Sequence, residues 1–200
     1  MKIQTSEFVR SSVDAEGLIG DGEPQVAFAG RSNVGKSSLL NKLLGVKLAR
    51  TSSTPGRTQT INYFRVNRRY WFVDLPGYGF ARAARTERQR WAALVASYLA
   101  RDAEHRLVVQ LVDAKVGATD LDVAAAEYLE SLEARRIAVA TKIDRLKRGA
   151  RAAALARIGT TLQLGPEATV IAVSAVTGEG VRELWKFIAD FLAGQVPAEP

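Results

Sequence analysis

The sequence predicts an α/β domain: a mainly parallel six-stranded sheet with one antiparallel edge strand and helices on both faces. Three observations predict it. Short apolar runs alternate with helix-length segments, the pattern of strands joined by crossover helices. Two alternating segments flank Asn67-Arg68, which reads as a hairpin and supplies the antiparallel strand. A glycine-rich loop separates the first apolar run from the first helix, which places a ligand loop at a strand's C-terminal end.

Each element follows from its residues. "VAFAG" (Val26 to Gly30) is a short apolar strand, and after the glycine loop "KSSLLNKLLG" is a helix ending at Gly45. "LARTSSTPGRTQT" has turn and hydroxyl residues with neither helical nor strand period, so it is a loop. "INYFRV" and "RRYWFV" alternate and form the hairpin strands. "TERQRWAALVASYLA" is helical, with Thr86 as the expected N-cap. "RLVVQLVD" is a buried strand and "TDLDVAAAEYLESLEA" an amphipathic helix. The strand "RIAVAT", the helix "GARAAALARIGTTL", the strand "ATVIAVS" and the helix "GVRELWKFIADFL" complete the alternation. Residues 1–23 read as a weakly ordered extension, 24–194 as the domain, and 195–200 as a short flexible tail.

Bulk composition narrows the function classes. Two hundred residues, 47% hydrophobic and 24% charged, suit one globular domain with a full core. There is no cysteine, which excludes disulfides and thiolate metal sites. The N-terminus lacks an apolar signal region and no run approaches a membrane span, so a cytoplasmic, membrane-free protein is expected. The net charge of +7 is one-sided: residues 1–100 carry a surplus of +8 and residues 101–200 one of −1. A one-sided basic surplus suits a polyanionic partner, and equally a generic basic surface.

"GRSNVGKS" (Gly30, Arg31, Ser32, Asn33, Val34, Gly35, Lys36, Ser37) satisfies G-x-x-x-x-G-K-[ST] between a strand and a helix. Its glycines let successive backbone N–H groups turn inward around phosphates, and the helix N-terminus adds partial positive charge. Lys36 can reach the β- and γ-phosphates, and the Ser37 hydroxyl can ligate Mg²⁺. This loop leaves ATPase, nucleotide kinase and GTPase open. Asp74, followed by Leu75, Pro76 and Gly77, ends a strand where a carboxylate can hold a water of a Mg²⁺ shell, and Gly77 can offer its N–H to a γ-phosphate. In "TKID" (Thr141, Lys142, Ile143, Asp144) the aspartate can accept from guanine N1–H and the 2-amino group. Adenine lacks that pair of donors, so it would leave Asp144 unpaired. The Lys142 stem can cover the base face, and "VSA" (Val173, Ser174, Ala175) can offer an N–H to guanine O6. Each later match is weak alone; their order, each at a strand's C-terminal end, is what carries weight.

The stretches "VAFAGRSNVGKSSLLN", "LARTSSTPGRTQTIN", "VDLPGYGFA" and "TKID" resemble the EngB (also YihA or YsxC) family of bacterial ribosome-biogenesis P-loop GTPases, over essentially the whole chain. The resemblance implies a P-loop GTPase fold and a GTP/GDP switch. It implies that Gly56, Arg57, Thr58, Gln59 and Thr60 belong to a first switch closing over the nucleotide, with Thr58 a Mg²⁺ ligand beside Ser37. It places Lys36, Asn33, Thr58 and Gly77 in catalysis. Thr141 departs from the commoner asparagine of GTPase base-recognition motifs, and its hydroxyl replaces only part of that amide's bonding. Micromolar affinity, about −8 kcal/mol, is the expectation.

Tyr78 stands where many nucleotide-hydrolysing switches carry the glutamine that orients the attacking water. Slow intrinsic turnover is therefore expected, with two replacements for the glutamine. Asn33 matches the P-loop asparagine with which related cation-dependent GTPases hold K⁺; alternatively a bound partner completes the second switch. The arginines at 65, 68, 69, 82, 85, 88 and 90 crowd the hairpin and second-switch region and suit phosphate recognition, although they could equally form a solvated face. Tyr63, Phe64, Tyr70, Trp71, Tyr78 and Phe80 interleave with them, but strand alternation directs most of these rings to the core. The resemblance favours a monomer working on a large-subunit precursor, its rRNA and ribosomal proteins. A regulatory GTPase acting on a protein without RNA, or a nucleotide-gated binding module with incidental hydrolysis, remain the alternatives.

Overall fold

The computed structural model describes residues 3–49, 60–78, 85–165 and 168–194, and side chains in all of these except 85–88. Along them run β1 (Ser6–Ser12), β2 (Gln25–Gly30), α1 (Lys36–Leu44), β3 (Ile61–Val66), β4 (Tyr70–Asp74) and α2 (Arg85–Ala100). There follow β5 (Arg106–Asp113), α3 (Asp120–Ser131), β6 (Arg136–Thr141), α4 (Arg148–Thr161), β7 (Ile171–Ala172) and α5 (Val181–Leu192). The strands form one seven-stranded sheet in the order β1-β3-β4-β2-β5-β6-β7. The pairs from β4 through β7 are parallel, whereas β1 and β4 each pair antiparallel with β3.

The α/β architecture is as expected, with one strand more. Ser6–Ser12, expected to be weakly ordered, forms the outermost strand, in register from Ser6↔Val66 to Ser12↔Ile61 with an irregularity between Phe8 and Arg10. Its sequence gives little warning, because Phe8 and Val9 lie at an exposed edge and do not alternate with a polar set. What holds it is tertiary. The hairpin turn has Asn67 and Arg68 at φ 51° and 55°, the left-handed pair that a tight β-turn needs. The Asn67 side-chain carbonyl then accepts the amides of Gln4 at 2.7 Å and Thr5 at 3.2 Å. Phe8 meets Phe64 edge to face, with ring centroids 5.7 Å apart.

Other boundaries moved slightly. α1 ends at Gly45 with φ 72°, as its C-terminal glycine implied. Thr86 falls inside the first turn of α2, which begins at Arg85, so it is not the cap. The last strand shrinks from "ATVIAVS" to Ile171–Ala172, since only those two residues pair in register with β6, and after a last bond from the Val173 N–H to the Ala140 carbonyl at 2.8 Å the chain turns at Ala175–Thr177.

The helices cover both faces. α1 and α5 send Leu39, Leu40, Leu43, Leu184 and Ile188 onto Val26, Phe28, Phe72 and Val109. α2 and α3 pack Val95, Tyr98, Ala125 and Leu129 on Ala27, Tyr63, Val73 and Val108, and Ile158 of α4 packs on Ala138 and Ala140. Each fully buried aliphatic side chain contributes about 1.5–3 kcal/mol by area, an upper bound. Because β2, β4, β5, β6 and β7 run parallel, their C-terminal ends share one edge of the sheet. There the segments after them converge, outside the close-packed core.

Candidate functional site

The loop after β2 supplies the centre of this edge. Asn33 has φ 64° and Gly35 φ 105°, so the chain curls before entering α1. A Cβ-bearing residue at Gly35 would be strained in that conformation. Val34 is buried and closes the floor of the loop, while Ser32 and Asn33 are exposed. Lys36 and Ser37 open α1, where N–H groups without intrahelical partners and the helix dipole favour an anion. In this structure the Lys36 ammonium pairs with the Asp74 carboxylate at the end of β4.

The segment after Asp74 lies along the loop. The Leu75 N–H donates to the Phe28 carbonyl at 3.0 Å, the Tyr78 N–H to Gly30 at 3.3 Å, and the Ser32 N–H to the Tyr78 carbonyl at 3.2 Å. Pro76 accepts the Trp91 indole N–H at 2.8 Å. Gly77 comes so close that a Cβ would stand 3.4 Å from the Gly30 carbonyl oxygen and the Ser32 nitrogen. The Tyr78 ring is 7% exposed and turns into the protein, where its hydroxyl donates to Asp122 Oδ1 at 3.1 Å. Burial first, and then the Asp122 charge, pushes this phenol well above its ordinary pKa, so it stays protonated.

The ends of β5, β6 and β7 build the other half. The Thr141 hydroxyl donates to the Val34 carbonyl at 2.6 Å, with Val112 O at 3.2 Å, so it ties the base-side turn to the P-loop. That is part of the bridging an asparagine amide would perform. Lys142, at φ 58°, sends its ammonium to the Asn33 carbonyl and to Asp113, both at 2.7 Å. Its stem is thereby drawn across the edge of the site. Burial raises the Asp113 carboxyl, but the Lys142 ammonium and the amides of Val116 and Lys115 outweigh it and hold it below the usual carboxylate range. Ile143 is buried, and its N–H donates to the Val173 carbonyl at 3.2 Å; Asp144 beside it is exposed in the same short turn. Ser174 is fully buried and its hydroxyl accepts the amides of Val176 and Thr177 at 3.2 and 3.0 Å, which shapes the loop that starts at Ala175.

The structure therefore gathers Gly30–Ser37, Asp74–Gly77, Thr141–Asp144 and Val173–Ala175 on one sheet edge. Gly56, Arg57, Thr58 and Gln59 lie outside the described residues, as do Phe80 and Arg82; Thr60 precedes β3, its hydroxyl 3.2 Å from Asn62 Oδ1. The hard oxygens of Ser37 and Asp74, next to a phosphate cradle, fit a Mg²⁺ ion held largely by phosphate and water. Three residues escaped the sequence reading. Asp113 steadies Lys142, and Gln110 and Asp122 anchor Tyr78. Gln110 carried a signal, since a lone amide inside the apolar run "RLVVQLVD" must find buried partners. The described arginines and aromatics also sort themselves. Arg65 pairs with Glu23 and lies 4.4 Å over the Trp71 ring, so it is spoken for. Arg68, Arg69 and Arg90 are exposed. Tyr63, Phe64, Trp71 and Tyr78 are buried, and Tyr70 is half-buried, so these rings form core rather than a stacking surface.

Comparison with known proteins agrees with this geometry. Residues 25–142 match the family model described as "50S ribosome-binding GTPase". The "Probable GTP-binding protein EngB" of Heliobacterium modesticaldum is 42% identical over 200 residues, covering all of this chain and 98% of that one. Its counterpart from Exiguobacterium sp. is 45% identical over 94% of this chain and 96% of its own length. Among solved structures, a GTP-binding protein engB superposes with TM-score 0.69 at 24% identity, over 85% of this chain and 99% of that one. Era in complex with MgGDPNP and nucleotides 1506–1542 of 16S ribosomal RNA shares the fold at TM-score 0.64 and 24% identity, over 88% of this chain and 58% of its own. Full-length identity of this order, on a sheet edge that carries a P-loop motif and a Lys-x-Asp turn, places the chain in the EngB family of GTP-binding proteins, as a P-loop GTPase.

Proposed function

We propose that this GTPase is a cytoplasmic molecular switch acting in assembly of the large ribosomal subunit. The observation that carries the reading is the convergence of Lys36, Asp74, Thr141 and Asp144 on one sheet edge. Within it, the N–H groups of Gly30 to Ser37 take the phosphates. Lys36 leaves Asp74 for the β- and γ-phosphates, and Asp144 accepts from guanine under the Lys142 stem, with the Ser174–Ala175 loop at O6. Gly56 to Thr60 close over the nucleotide, and Gly77 offers its N–H to the γ-phosphate. Ser37 and Thr58 would hold a Mg²⁺ ion, which would supply positive charge to the phosphate oxygens. Asn33 would hold a K⁺ ion, which would supply positive charge that the Tyr78 side chain cannot; a bound partner completing the second switch is the other replacement.

The ribosomal role draws on the matched family's description and on surface charge. On α5, Arg182 and Lys186 stand one turn apart and face Lys42 of α1 across a cleft lined also by half-buried Trp185 and by one carboxylate, Asp190, against the three cations. No ion pair joins any of these three cations to an acidic group among the described residues. Such a basic concavity suits an RNA backbone, whose hold weakens as salt rises. Co-sedimentation with large-subunit precursor particles across a salt series tests this. Binding is expected with GTP, lost as ionic strength rises and reduced in a Lys42→Glu, Arg182→Glu variant. Salt-insensitive binding, or none, would overturn the RNA reading and favour a protein partner.

A further inference from the structure

The buried carboxylate of Asp122 has no place in the nucleotide site, yet it joins two parts of it. Asp122 is completely buried at the third position of α3. Its Oδ2 accepts the Thr119 N–H at 2.9 Å and the Thr119 hydroxyl at 2.7 Å, closing a capping box. The same oxygen lies 3.1 Å from Nε of Arg31, a residue of the P-loop. The other oxygen accepts the Tyr78 hydroxyl at 3.1 Å. Gln110 braces the arrangement: its amide nitrogen donates to the Asp122 carbonyl at 2.8 Å and to the Tyr78 hydroxyl at 3.3 Å, and its oxygen accepts Arg136 at 2.8 Å. A cap alone requires neither Tyr78 nor Arg31.

The consequence lies in the backbone of Tyr78. With its phenol anchored, its carbonyl receives the Ser32 N–H at 3.2 Å. Ser32 belongs to the loop whose N–H groups cradle phosphate. A carbonyl oxygen on that N–H opposes a γ-phosphate twice: it occupies a donor and sets partial negative charge beside a polyanion. Diphosphate lacks the third phosphoryl group and does not meet this conflict. The anchored ring holds the Tyr78 Cα beside the P-loop, where the backbone is paired on both sides, its N–H on Gly30 and its carbonyl on Ser32, so withdrawing this backbone from the loop also moves the ring and strains the hydroxyl's bond to Asp122.

We propose that Asp122 is a positioning residue that sets the GDP-versus-GTP preference, latching Tyr78 so that its carbonyl guards the Ser32 amide until GTP or a partner displaces it. The proposal rests on the nucleotide reading of the site given above. The test uses the full chain, fluorescent GDP and a fluorescent non-hydrolysable GTP analogue, with Tyr78→Phe, which keeps the ring, and Asp122→Asn, which keeps the shape. Both variants should bind the analogue more tightly relative to GDP, by about three- to tenfold, the worth of one net hydrogen bond. GDP affinity should stay within about twofold, well under the change expected for the analogue. A merely structural role would lower thermal stability while leaving the ratio of the two affinities unchanged, and that result overturns the latch. Should Asp122→Asn fail to fold, Tyr78→Phe decides alone, since it removes one oxygen from an intact ring. Failure of the unmodified chain to bind either nucleotide would overturn the site reading and the latch together, whereas equal changes in both affinities overturn only the latch.

Discussion

Replacing Asp144 by Asn isolates base recognition from everything else in the fold. Asp144 is exposed, and the turn that carries it is held by other groups: Ile143 N–H on Val173, Thr141 on Val34, and Lys142 on Asn33 and Asp113. The substitution therefore leaves the turn and the thermal midpoint nearly unchanged. What it removes is a carboxylate that accepts from two guanine donors. Hydrogen bonds to a charged group are worth about 1.5–3 kcal/mol each, and the asparagine amide retains one acceptor while facing the second donor with a donor. A loss of at least about 2 kcal/mol follows, or roughly 30-fold in Kd. Titration calorimetry with GDP and with xanthosine diphosphate measures it. Xanthosine carries an oxygen in place of the 2-amino group, so its nucleotide should gain where the guanine nucleotide loses. Equal affinity of the unmodified chain for adenine and guanine nucleotides would refute the assignment, as would an unchanged GDP affinity in the variant.

Three further perturbations test other parts of the molecule. Lys36→Ala should abolish detectable nucleotide binding with a cooperative melt retained, whereas Thr58→Ala should spare GDP affinity and weaken only the Mg²⁺–GTP state; equal damage to both nucleotides by the latter contradicts its place in the first switch. Hydrolysis, followed by phosphate release, should run several-fold faster in K⁺ than in Na⁺, and Asn33→Ala should erase the difference; a rate indifferent to the cation leaves activation to a partner. Arg106 is 2% exposed, lies 3.9 Å from the Tyr98 ring centroid, and burial lowers its pKa, while its Nε and Nη1 find no hydrogen-bond partner among the described residues. Its replacement by Met should cost less than about 1 kcal/mol in urea unfolding, because the charge is expensive to bury, and Arg106→Ala about 2–4 kcal/mol through the cavity it leaves; a Met variant as damaged as Ala would show that the charge itself is needed.

Residue order alone determined the alternation of strands and helices, the P-loop motif and the Lys-x-Asp turn. These features are local: an apolar run of five to eight residues, a Gly-Lys-Ser before a helix, or a Lys-x-Asp after a strand is legible within one window of chain. Tertiary structure decided what depends on contacts far apart in sequence. Ser6–Ser12 becomes a strand because β3 offers it a ladder and Asn67 receives its leading amides. Thr141 reaches Val34 across 107 positions, and Lys142 reaches Asn33 across 109. Arg65, one of the arginines that in sequence suit either phosphate recognition or a solvated face, is instead held by Glu23 and Trp71. Tyr78 illustrates the division most clearly. Its position identified it as a missing glutamine, but only packing could bring Asp122 and Gln110, 44 and 32 residues away, to its hydroxyl and so turn the ring from solvent into the core. A buried polar group must find partners, and the chain supplies them from wherever the sheet order brings its segments together.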